Sequence, residues 1–191
     1  PRVFQQAFHL MRSGRPGPVL IDLPFDVQVA EIEFDIDTYS PMPVYKPAAT
    51  RAQAERAIEM LCAAERPLLV CGGGVINAGA SEQLRALADT YGIPVVTTLM
   101  GIGATDTTKP LSLHMLGMHG TAFANYAVDD CDFLIAAGAR FDDRVAGLPE
   151  KFAAGARHIA HLDIDISEIN KVKAVDWHHV GMLQEALQSL L

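Results

Sequence analysis

The run Pro67-Leu68-Leu69-Val70-Cys71 is apolar at every position and passes directly into Gly72-Gly73-Gly74. A strand without in/out alternation must be covered on both faces. Pro94–Thr97, Asp132–Ala137 and His158–Asp163 read as strands of the same kind, with a weaker one at Val175–Val180. Helical periods separate them. Thr50 stands where it can cap a helix whose apolar face is Ala54, Ala57, Ile58, Leu61 and Cys62. Ala80, Leu84, Leu87, Ala88 and Tyr91 mark a second helix, ended by Gly92, and a third lies near Thr121–Val128. The final helix carries Leu183, Ala186, Leu187, Leu190 and Leu191. Strands alternating with amphipathic helices predict a doubly wound, Rossmann-like parallel α/β domain from residue 50 to 191.

The first fifty residues read differently. Val3, Phe4, Ala7, Phe8 and Met11 recur at helical spacing, with Gly14 at the C-terminal cap position. Pro18-Val19-Leu20-Ile21-Asp22-Leu23 then reads as a short buried strand. From Pro24 to Thr50 there are four prolines and no sustained period, which predicts a linker. Between strands, residues 98–120 read as a long glycine-rich loop.

Composition removes several functions. With 15 Lys+Arg against 23 Asp+Glu the net charge is −8, so phosphate backbones are repelled and nucleic acid is not an expected partner. The three cysteines, Cys62, Cys71 and Cys131, are far apart, which excludes a disulfide framework and a CxxC metal site. No apolar run approaches the roughly 20 residues of a membrane span, and no signal peptide is expected from this stretch. The start at Pro1, directly in a helical pattern, reads as a fragment of a longer polypeptide.

In folds of this class ligands bind beyond the carboxyl ends of the strands. There this chain places Gly72-Gly73-Gly74; then Thr98-Leu99-Met100-Gly101; then Leu116-Gly117-Met118-His119-Gly120. The next strand ends lead into Gly138-Ala139-Arg140-Phe141-Asp142-Asp143-Arg144 and Asp163-Ile164-Asp165. Backbone amides and arginines suit a pyrophosphate, Asp a ribose hydroxyl, and Met and Leu an aromatic ring system. The NAD fingerprint fails, because the run reads Gly72-x-Gly74-x-x-Asn77. A flavin or another nucleotide pose fits better. Bland readings stay open beside these. Gly72–Gly74 also suits a plain strand-to-helix turn. Arg140, Asp142, Asp143 and Arg144 also suit a structural ion-pair network, and His119 also suits a surface loop. His158 and His161 have no partner at metal-ligand spacing and read as structural. No nucleophile-and-base set is visible, nor a Walker A loop or HExxH.

Several of these strings are long: Ser13–Asp22, Thr98–Gly101, Met115–Thr121, Ala124–Val128, Gly138–Val145 and His161–Asp165. Together they resemble the catalytic subunit of acetohydroxyacid (acetolactate) synthases, thiamine-diphosphate enzymes whose middle domain binds FAD. The resemblance implies that residues 1–30 end a pyrimidine-binding domain, 31–49 form a linker, and 50–191 form the FAD domain. It carries flavin contacts onto Arg15, Gly72, Gly73, Gly74, Thr98, Leu99, Met100, Leu116, Gly117, Met118, His119, Gly138, Arg140, Asp142, Val145, Asp163 and Ile164. Arg144 matches the arginine that recognises the second 2-ketoacid. The implied reaction joins two 2-ketoacids with loss of CO2, in branched-chain amino-acid biosynthesis. Thiamine diphosphate and Mg2+ would sit outside this stretch, so no catalytic acid or base is assigned here. A cytoplasmic homodimer or homotetramer, with a possible regulatory subunit, is the implied setting.

Three departures qualify the resemblance. The family usually shows Pro-Lys-Asp where this chain has Pro24-Phe25-Asp26, and Gly-Asp where it has Gly181-Met182. Phe4–Ser13 together with Leu23–Gln28 looks more like glyoxylate carboligase (tartronate-semialdehyde synthase). That sister enzyme lacks the Gly-Met-His-Gly and Arg-Phe-Asp-Asp-Arg strings kept here. Glyoxylate carboligase and a non-catalytic nucleotide-binding domain are therefore the alternatives.

Overall fold

A computed structural model describes residues 1–45 and 47–191. The chain divides into two compact units, Pro1–Lys46 and Pro47–Leu191.

In the first unit, α1 (Arg2–Arg12) ends at Ser13, whose amide reaches the His9 carbonyl, and Gly14 follows at φ +56°. The expected cap is thus in place, although of the apolar positions only Ala7 is buried within this chain. A four-residue helix, α2 (Phe25–Gln28), and a 3-10 turn at Ile36–Thr38 are the only other regular elements among the described residues of the unit. The strand expected at Pro18–Leu23 does not form. The segment is unpaired and Leu20 is 89% exposed. A strand of this type exists only by pairing with a neighbour, and no other strand lies in this unit among the described residues.

The second unit is the doubly wound domain. Its helices and strands run α3 (Arg51–Ala63), β1 (Pro67–Cys71), α4 (Gly73–Asn77), α5 (Ser81–Tyr91), β2 (Val95–Thr97), β3 (Ser112–Met115), α6 (Ala122–Asp130), β4 (Phe133–Ala137), α7 (Asp143–Ala146), β5 (His158–Asp163), β6 (Trp177–Val180) and α8 (Leu183–Gln188). All strand pairs are parallel, in the order β3-β2-β1-β4-β5-β6. The order reverses between β1 and β4, which makes that pair the topological switch point.

Both faces of the central strands are buried, which is why their sequences do not alternate. Leu69 and Cys71 of β1, with Phe133 and Ile135 of β4, join one core against α3, α5 and α8. Leu68, Val70, Leu134 and Ala136 join the other, against Ala124 and Val128 of α6 and Ala146 of α7. Thr50 caps α3 in a reciprocal box: the Gln53 amide donates to Thr50 Oγ1, and Gln53 Oε1 accepts the Thr50 amide at 2.9 Å. The buried face of α3 is Ala54, Ala57, Met60 and Leu61; Ile58 is half-buried, while Cys62, expected inside, is exposed. Helical phase explains the exchange, because Met60 lies three residues from Ala57 and Cys62 falls beside the solvent face.

β3 lies inside the segment read as a loop. It is a four-residue edge strand, never fully buried, and its register against β2 shifts between Val95 and Thr97. His114 within it has φ +62°. So short and irregular an element leaves no period to read.

At the opposite, N-terminal edge, carboxylates staple the strands. Asp132 is buried and accepts the Glu65 and Arg66 amides, each at 2.9 Å. Asp176 accepts the Ile159 amide at 2.9 Å, joining β5 to β6.

Candidate functional site: the C-terminal edge of the sheet

Five loops leave the same edge of the sheet, one after each of β1 to β5, because every strand is parallel. At the switch point the turn after β1 is welded to the turn after β4. The Gly72 amide donates to the Ala137 carbonyl at 2.9 Å, and the Gly74 amide to the Gly138 carbonyl at 3.0 Å. Side chains on Gly72 or Gly74 would overlap the Gly138 backbone. These glycines are there for close approach of two backbones. Their amides are consumed internally, so the expected cradle of Gly72 and Gly74 N–H groups for a phosphate is not available.

The loop after β2 is anchored by the Thr98 amide on the Cys71 carbonyl at 2.9 Å. Leu99–Gly101 forms a 3-10 turn in which Gly101 is buried while Leu99 and Met100 are 69% and 74% exposed. Met100 packs beside Gly73, whose added Cβ would lie 2.8 Å from the Met100 Cβ. The loop after β3 is gripped twice by Asn125 of α6. Asn125 Oδ1 accepts the Gly117 amide at 2.8 Å, and its Nδ2 donates to the Gly117 carbonyl at 3.1 Å. The same loop docks on α7, where the Met118 amide donates to the Arg144 carbonyl at 2.9 Å. Met118 and His119 are exposed, whereas Leu116 is buried in the core with Val128 and Leu134. The Leu116 side chain therefore packs in the core.

After β4 come Arg140, exposed, and Phe141, buried with φ +54°. Asp142 caps α7, one carboxylate oxygen accepting the Arg144 and Val145 amides at 3.2 Å each. Arg140 lies 3.7 Å from Asp142, and Arg144 3.5 Å from Asp143. These pairs are largely exposed and worth little to the fold, so both guanidinium groups are available to an anion. Asp142 does structural work as a cap, and Val145 is half-buried. At the end of β5, Asp163 is buried and Oδ1 accepts the Asp165 amide at 2.9 Å; Ile164 is half-buried.

Neither buried cysteine is an activated nucleophile. Burial pushes the Cys71 thiol up to about 12. Burial, with Asp132 and Asp129 nearby, does the same to Cys131. A thiol held protonated is inert. Among the described residues no group of three His, Cys, Asp or Glu side chains is placed to hold a metal ion.

The donor set suits an extended nucleotide. Leu99, Met100 and Met118 offer exposed apolar surface on these loops. Arg140 and Arg144 offer charge, and Asp163 keeps Oδ2 outside the Asp165 turn. Of the expected residues, Gly72–Gly74, Thr98–Met100, Leu116–His119, Gly138, Arg140, Asp142, Arg144, Val145, Asp163 and Ile164 all lie on this edge or in the loops leaving it. Arg15 belongs to the first unit, one residue beyond Gly14. Nothing in the order of residues aims Asn125 at Gly117. His161, which reads as structural, is fully buried, its ring 5.0 Å from that of Phe141 and its Nε2 3.7 Å from Asp163 Oδ2.

Comparison with known proteins places this geometry. The family model described as thiamine pyrophosphate enzyme, central domain, matches residues 54–190. Glyoxylate carboligase of Escherichia coli O157:H7 is 50% identical over 191 residues, covering 100% of this chain and 32% of that protein. The acetolactate synthase large subunit of Corynebacterium glutamicum is 48% identical, covering 100% of this chain and 31% of that subunit. Acetolactate synthase 1, chloroplastic, of Oryza sativa subsp. japonica is 47% identical, covering 100% and 30%. The chain thus spans about a third of the length of the curated relatives it matches.

Proposed function

The chain belongs to the family of thiamine pyrophosphate enzyme central domains, and from that membership we propose that it is the FAD-binding central part of an acetolactate synthase. The observation that carries this reading is the gathering of Leu99, Met100, Met118, Arg140 and Arg144 at one edge of one parallel sheet, all exposed. Arg140 would meet the pyrophosphate, Asp163 a ribose hydroxyl, and the Met and Leu side chains the flavin ring system. Gly73, Gly74 and Gly138, each half-buried, would contribute backbone at the rim, and Thr98 and His119 the flanking polar contacts. Arg144, held by its carbonyl to Met118 and with a largely exposed side chain beside Asp143, would bind the carboxylate of the second 2-ketoacid through a charge-assisted bond.

In the whole protein, thiamine diphosphate with Mg2+ supplies the chemistry that releases CO2 from one 2-ketoacid and joins the remainder to another. That reaction is not a redox reaction, so the flavin's part is structural. This chain's own contribution is binding and orientation. We take the whole protein to be a homodimer or homotetramer, open to a regulatory subunit.

The test is the full-length protein supplied with thiamine diphosphate, Mg2+, FAD and pyruvate. Formation of acetolactate is the expected result, and none formed would refute the proposal. Glyoxylate carboligase is the second reading, favoured by the first 28 residues and by the 50% identity to the Escherichia coli protein of that name. Glyoxylate given as sole substrate separates the two: turnover of glyoxylate but not pyruvate selects the second.

A further inference from the structure

We propose that His161 is a positioning residue, which sets the Asp163 carboxylate for a nucleotide hydroxyl at the end of β5. The inference rests on the nucleotide-binding reading of this rim and names the residue that acts behind it.

His161 is fully buried, and neither of its ring nitrogens has a hydrogen-bond partner among the described residues. A buried imidazole left unsatisfied in this way is costly, so its position calls for a partner. The nearest acid is Asp163, two residues on along the same face of the strand, with Oδ2 3.7 Å from His161 Nε2. That gap is just beyond a hydrogen bond, and a small turn of either side chain closes it. The other oxygen of Asp163 already accepts the Asp165 amide at 2.9 Å. With Nε2–H donating to Oδ2, both oxygens are fixed from below. An ionised carboxylate has about four lone-pair sites, so the remaining ones are left to face a ligand.

The imidazole is itself held from above. Phe141 packs its ring 5.0 Å from that of His161 and 5.7 Å from that of Phe152. Phe141 stands between Arg140 and Asp142 with φ +54°, a backbone position that a non-glycine residue keeps only when its surroundings impose it. His161 therefore touches both halves of the anion-facing rim: the loop that carries Arg140 and the acid at the end of β5.

The experiment uses the full-length protein, with FAD affinity read by flavin fluorescence quenching and the folded state by melting temperature. His161→Leu should weaken FAD binding roughly tenfold, the scale of losing a hydrogen bond to a charged group. His161→Gln, whose amide nitrogen can stand in for Nε2, should restore most of the loss. His161→Leu combined with Asp163→Asn should bind no more weakly than Asp163→Asn alone, because one acts through the other. Unchanged affinity in His161→Leu, no rescue by Gln, or fully additive losses would each overturn the proposal. Should His161→Leu not fold, the 15N shift of His161 Nε2 compared between the wild type and Asp163→Asn decides: a change supports the bond and identity refutes it. A wild-type protein that binds no FAD removes the nucleotide reading and this inference together, whereas normal binding with an indifferent His161 removes only the latter.

Discussion

Gly74 and Gly138 pack backbone against backbone: a Cβ on Gly74 would lie 2.7 Å from the Gly138 Cα, and one on Gly138 2.6 Å from the Gly74 Cα. Neither neighbour can yield, since each is main chain tied by the hydrogen bond from the Gly74 amide to the Gly138 carbonyl. Gly138 also sits at φ +58°. Gly74→Ala and Gly138→Ala should therefore each destabilise the domain by about 1–3 kcal/mol, the usual cost of overpacking. Gly138→Ala should be the worse, through added backbone strain. Denaturant unfolding checks both. Equal stability of either variant and the wild type would mean that the two turns can part freely.

Asp132→Ala tests the opposite edge of the sheet. It leaves the Glu65 and Arg66 amides without their acceptor and should cost about 1.5–3 kcal/mol. Burial pushes the Asp132 carboxyl up, but the Glu65, Arg66 and Asp132 amides together with the Arg157 charge outweigh it, and the group titrates below its ordinary value of 3.8. Its stabilisation is thus complete above 3.8 and disappears as pH falls through the lowered value. The slope of stability against pH in that acid range should flatten in the variant.

His179 gives a pH dependence nearer neutrality. Burial pushes it below its ordinary value of 6.5; the Pro47 carbonyl nearby opposes this, and neighbouring His178 adds to it. The unfolded chain therefore takes up the proton more readily than the folded one. Stability is complete above about 6.5 and declines as pH drops below it. Melting temperatures at pH 7.5 and 5.5 should differ, and the difference should shrink in His179→Gln.

Arg144 offers a probe of function separated from folding. Its side chain is 69% exposed and lies 3.5 Å from the Asp143 carboxylate. Arg144→Ala should leave the free energy of unfolding within about 0.5 kcal/mol of the wild type. It should reduce selection between two competing 2-ketoacids by about 1.5–3 kcal/mol if that side chain holds the carboxylate. A product ratio identical to the wild type would remove Arg144 from substrate recognition.

Asn125→Ala should release the loop that presents Met118 and His119. Two hydrogen bonds to the Gly117 backbone are lost, a cost of about 1–3 kcal/mol. Amide exchange at Gly117 should accelerate more than exchange in β1, whose ladder is untouched.

The parallel sheet was legible in the order of residues because its cause is local. Leu68-Leu69-Val70 and Phe133-Leu134-Ile135 are apolar on both faces, and only a strand covered twice can use them. Thr50 and Gly92 marked helix ends for equally local reasons, a side-chain acceptor and a left-handed φ of +66°. The rim was legible as well, since parallel strands send every loop out at the same end. What the order of residues could not decide is what each rim residue faces. Leu116 and Met118 stand two apart in one loop, yet the first is in the core and the second in solvent. Gly72 and Gly138 meet because β1 and β4 are neighbours, a pairing between residues 66 apart in the chain. His161 acquires its place beside Asp163 and Phe141 only when β5 and the loop after β4 are brought together. Pro18–Leu23 makes the complementary point: an apolar run becomes a strand only through a partner, and pairing is a property of the assembled fold.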